Sequence, residues 1–167
     1  MIVLGIDPGI ADGKPYAMVA VDTSVPKVVG VCATVEPMRG SLLGKYRVWE
    51  MSLSALILRF RPELVAIEDA RGVGGKGSGY LMALVRLLCD WCEEEDVAWV
   101  LVHPAKAKAA VLAGNQGSDI VCRMVRMLVQ GADQLQETAD HDYESACAIA
   151  LAGAAKWREN NVLTHDL

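Results

Sequence analysis

The sequence predicts an α/β fold in which a five-stranded mixed sheet, with three antiparallel strands followed by two parallel ones, is flanked by helices. Three short apolar segments rich in Val, Ile and Ala open the chain, and turn clusters of hairpin length separate them. Two further apolar segments alternate with segments of helical periodicity, as strands and helices do in β-α units. The two patterns together indicate a mixed sheet with helices on its faces.

The five predicted strands differ in how they should be connected and buried. The first three are joined by Gly9 to Pro15 and by Thr23 to Lys27, so we expect hairpin connections. The fourth is apolar until its last residue, as expected for a strand that is covered on both faces. The strands are predicted at residues 2–7, 16–22, 28–35, 64–68 and 97–102.

The predicted helices all follow the third strand. Apolar residues recur at helical spacing in the first of them, and Pro62 ends it. The second follows a glycine-rich loop, and the other three follow the His103-Pro104 pair. Because neither a repeat nor a linker interrupts the chain, we expect residues 1–167 to form a single domain. The helices are predicted at about residues 40–60, 79–95, 104–112, 117–129 and 140–158.

The composition indicates a packed globule with reduced thiols. Apolar residues make up 53% of the chain, and no apolar run reaches the roughly 18 residues that a membrane span requires. The five cysteines are scattered through apolar segments and no basic leader is present, so we expect a cytoplasmic protein. Cys89 and Cys92 form a lone C-x-x-C inside a helical pattern, which favours core packing over a zinc or redox site. The net charge of −5 disfavours nucleic-acid binding through the overall field, although bound cations would cancel part of it.

Carboxylates stand at the ends of three separate elements. Asp7 ends the first strand and Glu68 ends the fourth. Several acids, among them Asp142, open the last helix. A carboxylate at the tip of a buried strand is costly unless a charge compensates it, and divalent cations readily take carboxylate oxygens. One interpretation is a metal-dependent active site; the other is that Asp7 and Glu68 are strand-end residues paired with Lys or Arg.

Five segments of the chain match, in order, the motifs of a known family. They are Gly5-Ile6-Asp7-Pro8-Gly9, Ala66-Ile67-Glu68, Pro104 with Lys108, Met124-Val125-Arg126 and Ala146-Cys147-Ala148-Ile149-Ala150. This series resembles the RuvC-type Holliday-junction resolvases of the ribonuclease-H-like superfamily. The resemblance implies a ribonuclease-H-like fold and a metal-dependent endonuclease that resolves four-way or branched DNA junctions. It also implies a protein of the bacterial cytoplasm, encoded by the bacterium or by a phage.

The resemblance carries expectations about the chemistry of the site. Two divalent ions about 4 Å apart, Mg²⁺ or in its place Mn²⁺, would clamp the scissile phosphate, activating a water and stabilising the leaving oxygen. Asp7, Glu68 and acids of the last helix would hold them, and Lys108 would neutralise charge on the phosphate. A homodimer is also implied, because a resolvase cuts two strands of a junction symmetrically.

The ligands from the last helix remain open. Alignment on the small-residue run places Asp142 at the family's first acid and Ser145 at its second, so one carboxylate is lost. Neighbours on a helix face are three or four residues apart, which makes Asp140 or His141 with Glu144 alternative pairs. His141 is an acceptable metal ligand or proton carrier. We rank Asp142 first, followed by Glu144, Asp140 and His141.

Two surfaces are candidates for contact with partners. The glycine-rich loop carries Arg71 and Lys76 but lacks the G-x-x-x-x-G-K-[ST] pattern, so we interpret it as DNA-contacting rather than nucleotide-binding. Lys106 is a further predicted DNA contact. The second helix has apolar residues off its main stripe that would serve a dimer interface or simply complete the core: Tyr80, Met82, Leu87 and Trp91.

Other functions are compatible with parts of this pattern. A nuclease that acts on RNA–DNA hybrids or flaps would share the fold. A catalytically impaired junction-binding protein is conceivable because Ser145 replaces an acid. An ATP-binding module of the actin and sugar-kinase type also has an acid-glycine turn after its first strand, but it needs two lobes, and 167 residues are too few.

Overall fold

In the computed structural model, a five-stranded mixed sheet is covered by helices on both faces, which confirms the α/β architecture. The structure describes residues 1–8, 16–33, 41–69, 78–114, 116–135 and 142–165. The strands are β1 (Ile2–Asp7), β2 (Ala17–Asp22), β3 (Lys27–Ala33), β4 (Leu64–Glu68) and β5 (Trp99–Val102). The helices are α1 (Leu42–Phe60), α2 (Ser78–Glu94), α3 (Pro104–Ala110), α4 (Ser118–Leu128) and α5 (Asp142–His165), with a short 3-10 helix at Ala132–Gln134.

The strands lie in the order β3-β2-β1-β4-β5, so β1 is central. β1 pairs antiparallel with β2, and β2 pairs antiparallel with β3, which matches the predicted hairpins. On the other side β1 pairs parallel with β4, and β4 pairs parallel with β5. Parallel neighbours need crossover connections, which α1 and α2 provide.

Several element boundaries differ from the predictions. β5 begins at Trp99 rather than at residue 97, because the backbone N–H of Val97 donates to the carbonyl of Cys92 at 2.8 Å and closes the end of α2. α5 continues to His165, since no glycine or proline follows Gly153 to stop it. The predicted end of β3 at residues 34–35 lies outside the described residues.

The two faces of the sheet form two separate cores. Val3 and Gly5 of β1 face α5, which α3 and α4 flank. Leu4 and Ile6, the alternate residues of the same strand, face α1 and α2. Side chains alternate along a strand, so the odd-numbered residues of β1, Asp7 included, project towards α5.

Small residues allow α5 to approach the sheet closely. A Cβ added to Gly5 would overlap the carbonyl oxygen of Ala146, and one added to Gly153 would overlap the Cβ of Ala66. Glycine at both contacts therefore brings the backbone of α5 directly onto β1 and β4. The run of small residues in the last helix is a packing feature as well as a motif.

The cysteines and the apolar residues of α2 mostly belong to the core. All five cysteines are free thiols. Burial raises the pKa of Cys89 to about 11 and of Cys92 to about 12, which keeps both thiols protonated and disfavours a metal or redox function. Trp91 is buried in the α1–α2 core, whereas Met82 is exposed and Leu87 is half-buried. The side chain of Tyr80 lies outside the described part of the chain, within which no helix is long and apolar enough to cross a membrane.

Candidate active site

Asp7 and Glu68 end neighbouring parallel strands on the same face of the sheet. The residues that precede them, Ile6 and Ile67, are opposite each other in the register of β1 and β4. Since Ile6 and Ile67 both belong to the core on the α1–α2 side, the two acids project to the other side, towards α5. The sequence prediction that the two carboxylates meet is consistent with this register.

The electrostatic interaction of the two acids appears in the pKa of Glu68. Burial is the main cause that raises this pKa, from 4.5 to about 8, and the negative charge of Asp7 raises it further. The charge of Lys108 acts in the opposite direction. Asp7 and Lys108 therefore belong with Glu68 to one electrostatic cluster.

Lys108 is held in position by the loop that follows its own helix. It lies in the last turn of α3 and is half-buried. Its Nζ donates to the carbonyl oxygen of Gln116 at 2.9 Å, and its own carbonyl accepts from the N–H of Ala113 at 2.9 Å. A backbone carbonyl thus holds the ammonium group whose charge acts on Glu68.

The first turn of α5 lies at the edge of the sheet where β1 and β4 end. Near the start of the helix, Ala146 contacts Gly5. Further along, Arg158 donates from Nη2 to Thr23 Oγ1 at 3.5 Å, and Thr23 is bonded to the residue before β1. The helix therefore runs away from the acidic edge towards the opposite one. Asp142 and Glu144 both lie in this first turn, and Asp142 is 5% exposed.

Glu144 has a charged partner in the neighbouring helix. Its Oε1 accepts from Arg126 Nε at 2.9 Å and from Cys122 Sγ at 3.4 Å, and it lies 2.8 Å from Arg126 Nη2. The side chain of Glu144 is 0% exposed. A guanidinium thus compensates this carboxylate and ties α4 to the first turn of α5. The predicted catalytic role of Glu144 remains a prediction, beside a structural role that the sequence analysis did not foresee.

The remaining predicted residues fall outside the acidic cluster or outside the described chain. Lys106 is exposed on α3 and lines a cleft of about 470 Å³ between α3 and α5. Asp69, the residue after Glu68, also lines this cleft, so it adjoins the candidate site. The predicted DNA contacts Arg71 and Lys76 and the alternative ligands Asp140 and His141 lie outside the described residues.

The donor set of Asp7 and Glu68 fits a hydrated Mg²⁺ ion. Burial, and then the charge of Asp7, raise the pKa of Glu68, so a cation bound between the two acids would favour ionisation of this carboxylate. Mg²⁺ keeps several waters and binds through one or two carboxylates, so two oxygen donors from strand ends suffice. Within the described ranges, no three His, Cys, Asp or Glu side chains form a preformed metal cluster.

Two residues that shape the site were not predicted to do so from the sequence. Arg126 and Gly5 were noticed only as parts of motifs. Arg126 follows the buried Cys122 by four residues on α4, so a cation on an apolar helix face was the available signal. Gly5 was visible as a glycine inside a strand, which often marks a close backbone approach.

Comparisons with known proteins agree with this geometry at the level of the fold. No protein-family model matches the chain, and no curated protein matches it either. Thermus thermophilus RuvC is similar with a TM-score of 0.72 at 22% identity, covering 95% of this chain and 96% of that chain. The yeast mitochondrial Holliday junction resolvase Ydc2 has a TM-score of 0.54 at 16% identity, covering 99% of this chain and 84% of its own. The Fowlpox virus resolvase, solved with substrate Holliday junction DNA, has a TM-score of 0.53 at 15% identity, covering 95% of this chain and 98% of its own.

At these identities the likeness establishes the fold. The chain has a ribonuclease-H-like fold, and within that class its architecture is that of the RuvC-type resolvases. The resemblance that five short motifs indicated is thereby confirmed for the fold.

Proposed function

We propose that this protein is a metal-dependent endonuclease that resolves four-way or branched DNA junctions by phosphodiester hydrolysis. The observation that carries the proposal is the cluster of Asp7, Glu68 and Lys108 at the ends of β1, β4 and α3. Its two carboxyl groups are ligands that suit a divalent cation, and its lysine suits a phosphate. Support also comes from the fold, which is shared with RuvC and with two other Holliday junction resolvases.

The acids and the lysine of the cluster have different roles in the proposed reaction. Asp7 and Glu68 hold Mg²⁺, for which Mn²⁺ can substitute, and Asp142 adds a carboxylate from α5. Bound ions supply Lewis-acid stabilisation of the phosphate and an activated water. Lys108, fixed by the Gln116 carbonyl, presents its ammonium group to the charge that develops on the phosphate. Glu144 keeps the first turn of α5 in place through Arg126.

Binding of DNA requires local positive charge, because the whole chain carries −5. Lys106 on the adjoining cleft and the loop cations Arg71 and Lys76 are the proposed contacts. A twofold dimer would bring two such sets and two active sites to one junction, so that both strands are cut symmetrically.

Cleavage assays on a panel of substrates test the proposal. A synthetic four-way junction, a flap, a linear duplex and an RNA–DNA hybrid are incubated with the protein and Mg²⁺. We expect cutting of the junction with loss in EDTA. Asp7→Asn should abolish cutting and leave junction binding intact, whereas Asp133→Asn, an exposed aspartate of the 3-10 helix, serves as the matched control.

Other outcomes point to the alternatives. Preferential cutting of the hybrid or the flap identifies another nuclease of this fold. Tight junction binding without any cutting in Mg²⁺ or Mn²⁺ identifies a junction-binding protein. Equal cutting by Asp7→Asn and the wild type contradicts the proposed site.

A further inference from the structure

Leu112 combines two features that are unfavourable for a leucine. Its φ is +61°, in the left-handed region, where the Cβ of an L-residue crowds the backbone. Its side chain is 75% exposed. Three non-glycine residues in the described ranges have positive φ, and Leu112 is the apolar one. A glycine would fit this backbone without strain and would expose no apolar surface.

The end of α3 fixes this conformation. The N–H of Leu112 donates to the Ala109 carbonyl at 3.0 Å, and the N–H of Ala113 donates to the Lys108 carbonyl at 2.9 Å. The residues on either side, Val111 and Ala113, are buried at 0% and 2% exposure. Leu112 is therefore the outward residue of a turn that is anchored on both sides.

The turn that carries Leu112 also carries a residue of the candidate active site. Lys108, whose charge acts on Glu68, belongs to the same hydrogen-bonded turn as Leu112. Its Nζ bond to Gln116 closes the loop that contains Leu112. An exposed apolar side chain is thus carried by the same turn as the lysine that we assign to the scissile phosphate.

We propose that Leu112 is a contact for DNA bases at the branch point of the junction. The inference rests on the proposed junction-resolving function and adds the part of the substrate that this turn meets. Bases at a branch point can unstack, and proteins that distort DNA use apolar side chains such as leucine against the opened base step. A side chain held on a rigid turn loses little conformational freedom on binding, which offsets its exposure and backbone strain in the free protein.

Leu112→Gly separates this role from a structural one. The substitution removes the side chain and suits the positive φ, so we expect an equal or higher thermal unfolding midpoint. Junction cleavage at saturating Mg²⁺ should fall by about tenfold, which corresponds to about 1.4 kcal/mol of lost transition-state stabilisation. When the protein binds a junction with 2-aminopurine at the branch point, the fluorescence increase should be smaller for Leu112→Gly than for the wild type. The affinity for linear duplex should be the same for both proteins.

Leu58→Ala is the matched control. Leu58 is 80% exposed, but it lies on α1, across the sheet from the acidic cluster. This variant should retain both cleavage and the 2-aminopurine signal. Leu112→Phe, which keeps an apolar side chain, should retain most of the cleavage.

The outcomes distinguish this inference from the proposed function. Absence of junction cleavage by the wild type contradicts the proposed function itself. Wild-type cleavage that Leu112→Gly matches, with an unchanged 2-aminopurine signal, overturns the role of Leu112 alone. A fall in cleavage that is accompanied by a lower unfolding midpoint in Leu112→Gly overturns it as well, because the side chain would then be structural.

Discussion

Arg126 of α4 and Glu144 of α5 form an ion pair whose carboxylate is completely buried. The Nε–Oε1 distance is 2.9 Å and the Nη2–Oε1 distance is 2.8 Å, with Arg126 26% exposed. The second oxygen of Glu144, Oε2, has no hydrogen-bond partner among the described residues. A pair buried in this way contributes little net stability, but either charge alone is costly. The ion pair instead fixes the position of the first turn of α5, because it links α4 to the turn that carries Asp142.

Removal of one partner of this pair should destabilise the protein strongly. Arg126→Met leaves the Glu144 carboxylate buried without its cation, and we expect a loss of about 3–5 kcal/mol in the free energy of unfolding. The double variant Arg126→Met with Glu144→Leu should recover much of that loss, since no buried charge remains. Urea denaturation of the three proteins measures these values.

A matched control for the ion pair is available on α2. Arg86 and Asp90 form an exposed pair with a 2.6 Å contact. Arg86→Met should cost no more than about 0.5 kcal/mol. Equal effects of Arg86→Met and Arg126→Met would show that burial of Glu144 is energetically irrelevant.

The raised pKa of Glu68 predicts a pH dependence of stability in the metal-free protein. The folded state keeps the proton up to about pH 8, whereas the unfolded chain releases it near 4.5. Between these values the folded state binds more protons, so stability falls as pH rises, by at most about 1.4 kcal/mol per pH unit for one proton. The stability that the retained proton contributes is fully present below pH 4.5. Above about pH 8 that contribution is lost, and stability no longer changes with the ionisation of Glu68.

Unfolding in EDTA from pH 4.5 to pH 9 checks this dependence. Glu68→Gln cannot ionise, so its stability should vary less than that of the wild type across the same interval. The comparison cancels the contributions of titrating groups that do not interact with Glu68. A wild-type curve parallel to that of Glu68→Gln would contradict the raised pKa.

Mg²⁺ should stabilise the folded protein by binding at the ends of β1 and β4. An ion that binds only the folded state raises the unfolding free energy by about 1.4 kcal/mol when its concentration is ten times its Kd. We expect this gain for the wild type and for Asp133→Asn, and its loss in Asp7→Asn. Thermal unfolding with and without Mg²⁺ measures the effect without reference to cleavage. A similar gain in all three proteins would place the bound ions elsewhere.

The sequence was informative where local patterns determine the structure. Strand alternation and hairpin-length turns predicted the sheet, and the register of Ile6 with Ile67 then brings Asp7 and Glu68 to one edge. The pair of Arg126 and Glu144 was not predictable in the same way, because its partners come from two helices whose packing depends on the whole core. A charged residue on an apolar face shows that a partner exists, but not which one it is.

The position of Leu112 illustrates the same limit. The sequence predicted a helix to about residue 112, and leucine is a good helix former. The structure ends α3 at Ala110, and the next residues turn through a left-handed conformation. Tertiary anchoring of Val111 and Ala113 overrides the local propensity there.

Gly5 should be essential for the approach of α5 to the site. A Cβ at this position would meet the carbonyl oxygen of Ala146 and the backbone nitrogen of Ala150, and backbone atoms cannot rotate away. We expect Gly5→Ala to lower the free energy of unfolding by about 1–3 kcal/mol, the range for overpacked cores. Gly79→Ala is the control, because nothing lies within 4 Å of a Cβ there and alanine favours the helix by about 0.5–1 kcal/mol.

If α5 relieves the overlap by moving away from β1, Asp142 moves with it, so Gly5→Ala should also weaken the Mg²⁺-induced stabilisation. Urea denaturation of both variants with and without Mg²⁺ measures the two effects, and a Gly5→Ala protein as stable as Gly79→Ala would contradict the close contact of the two backbones.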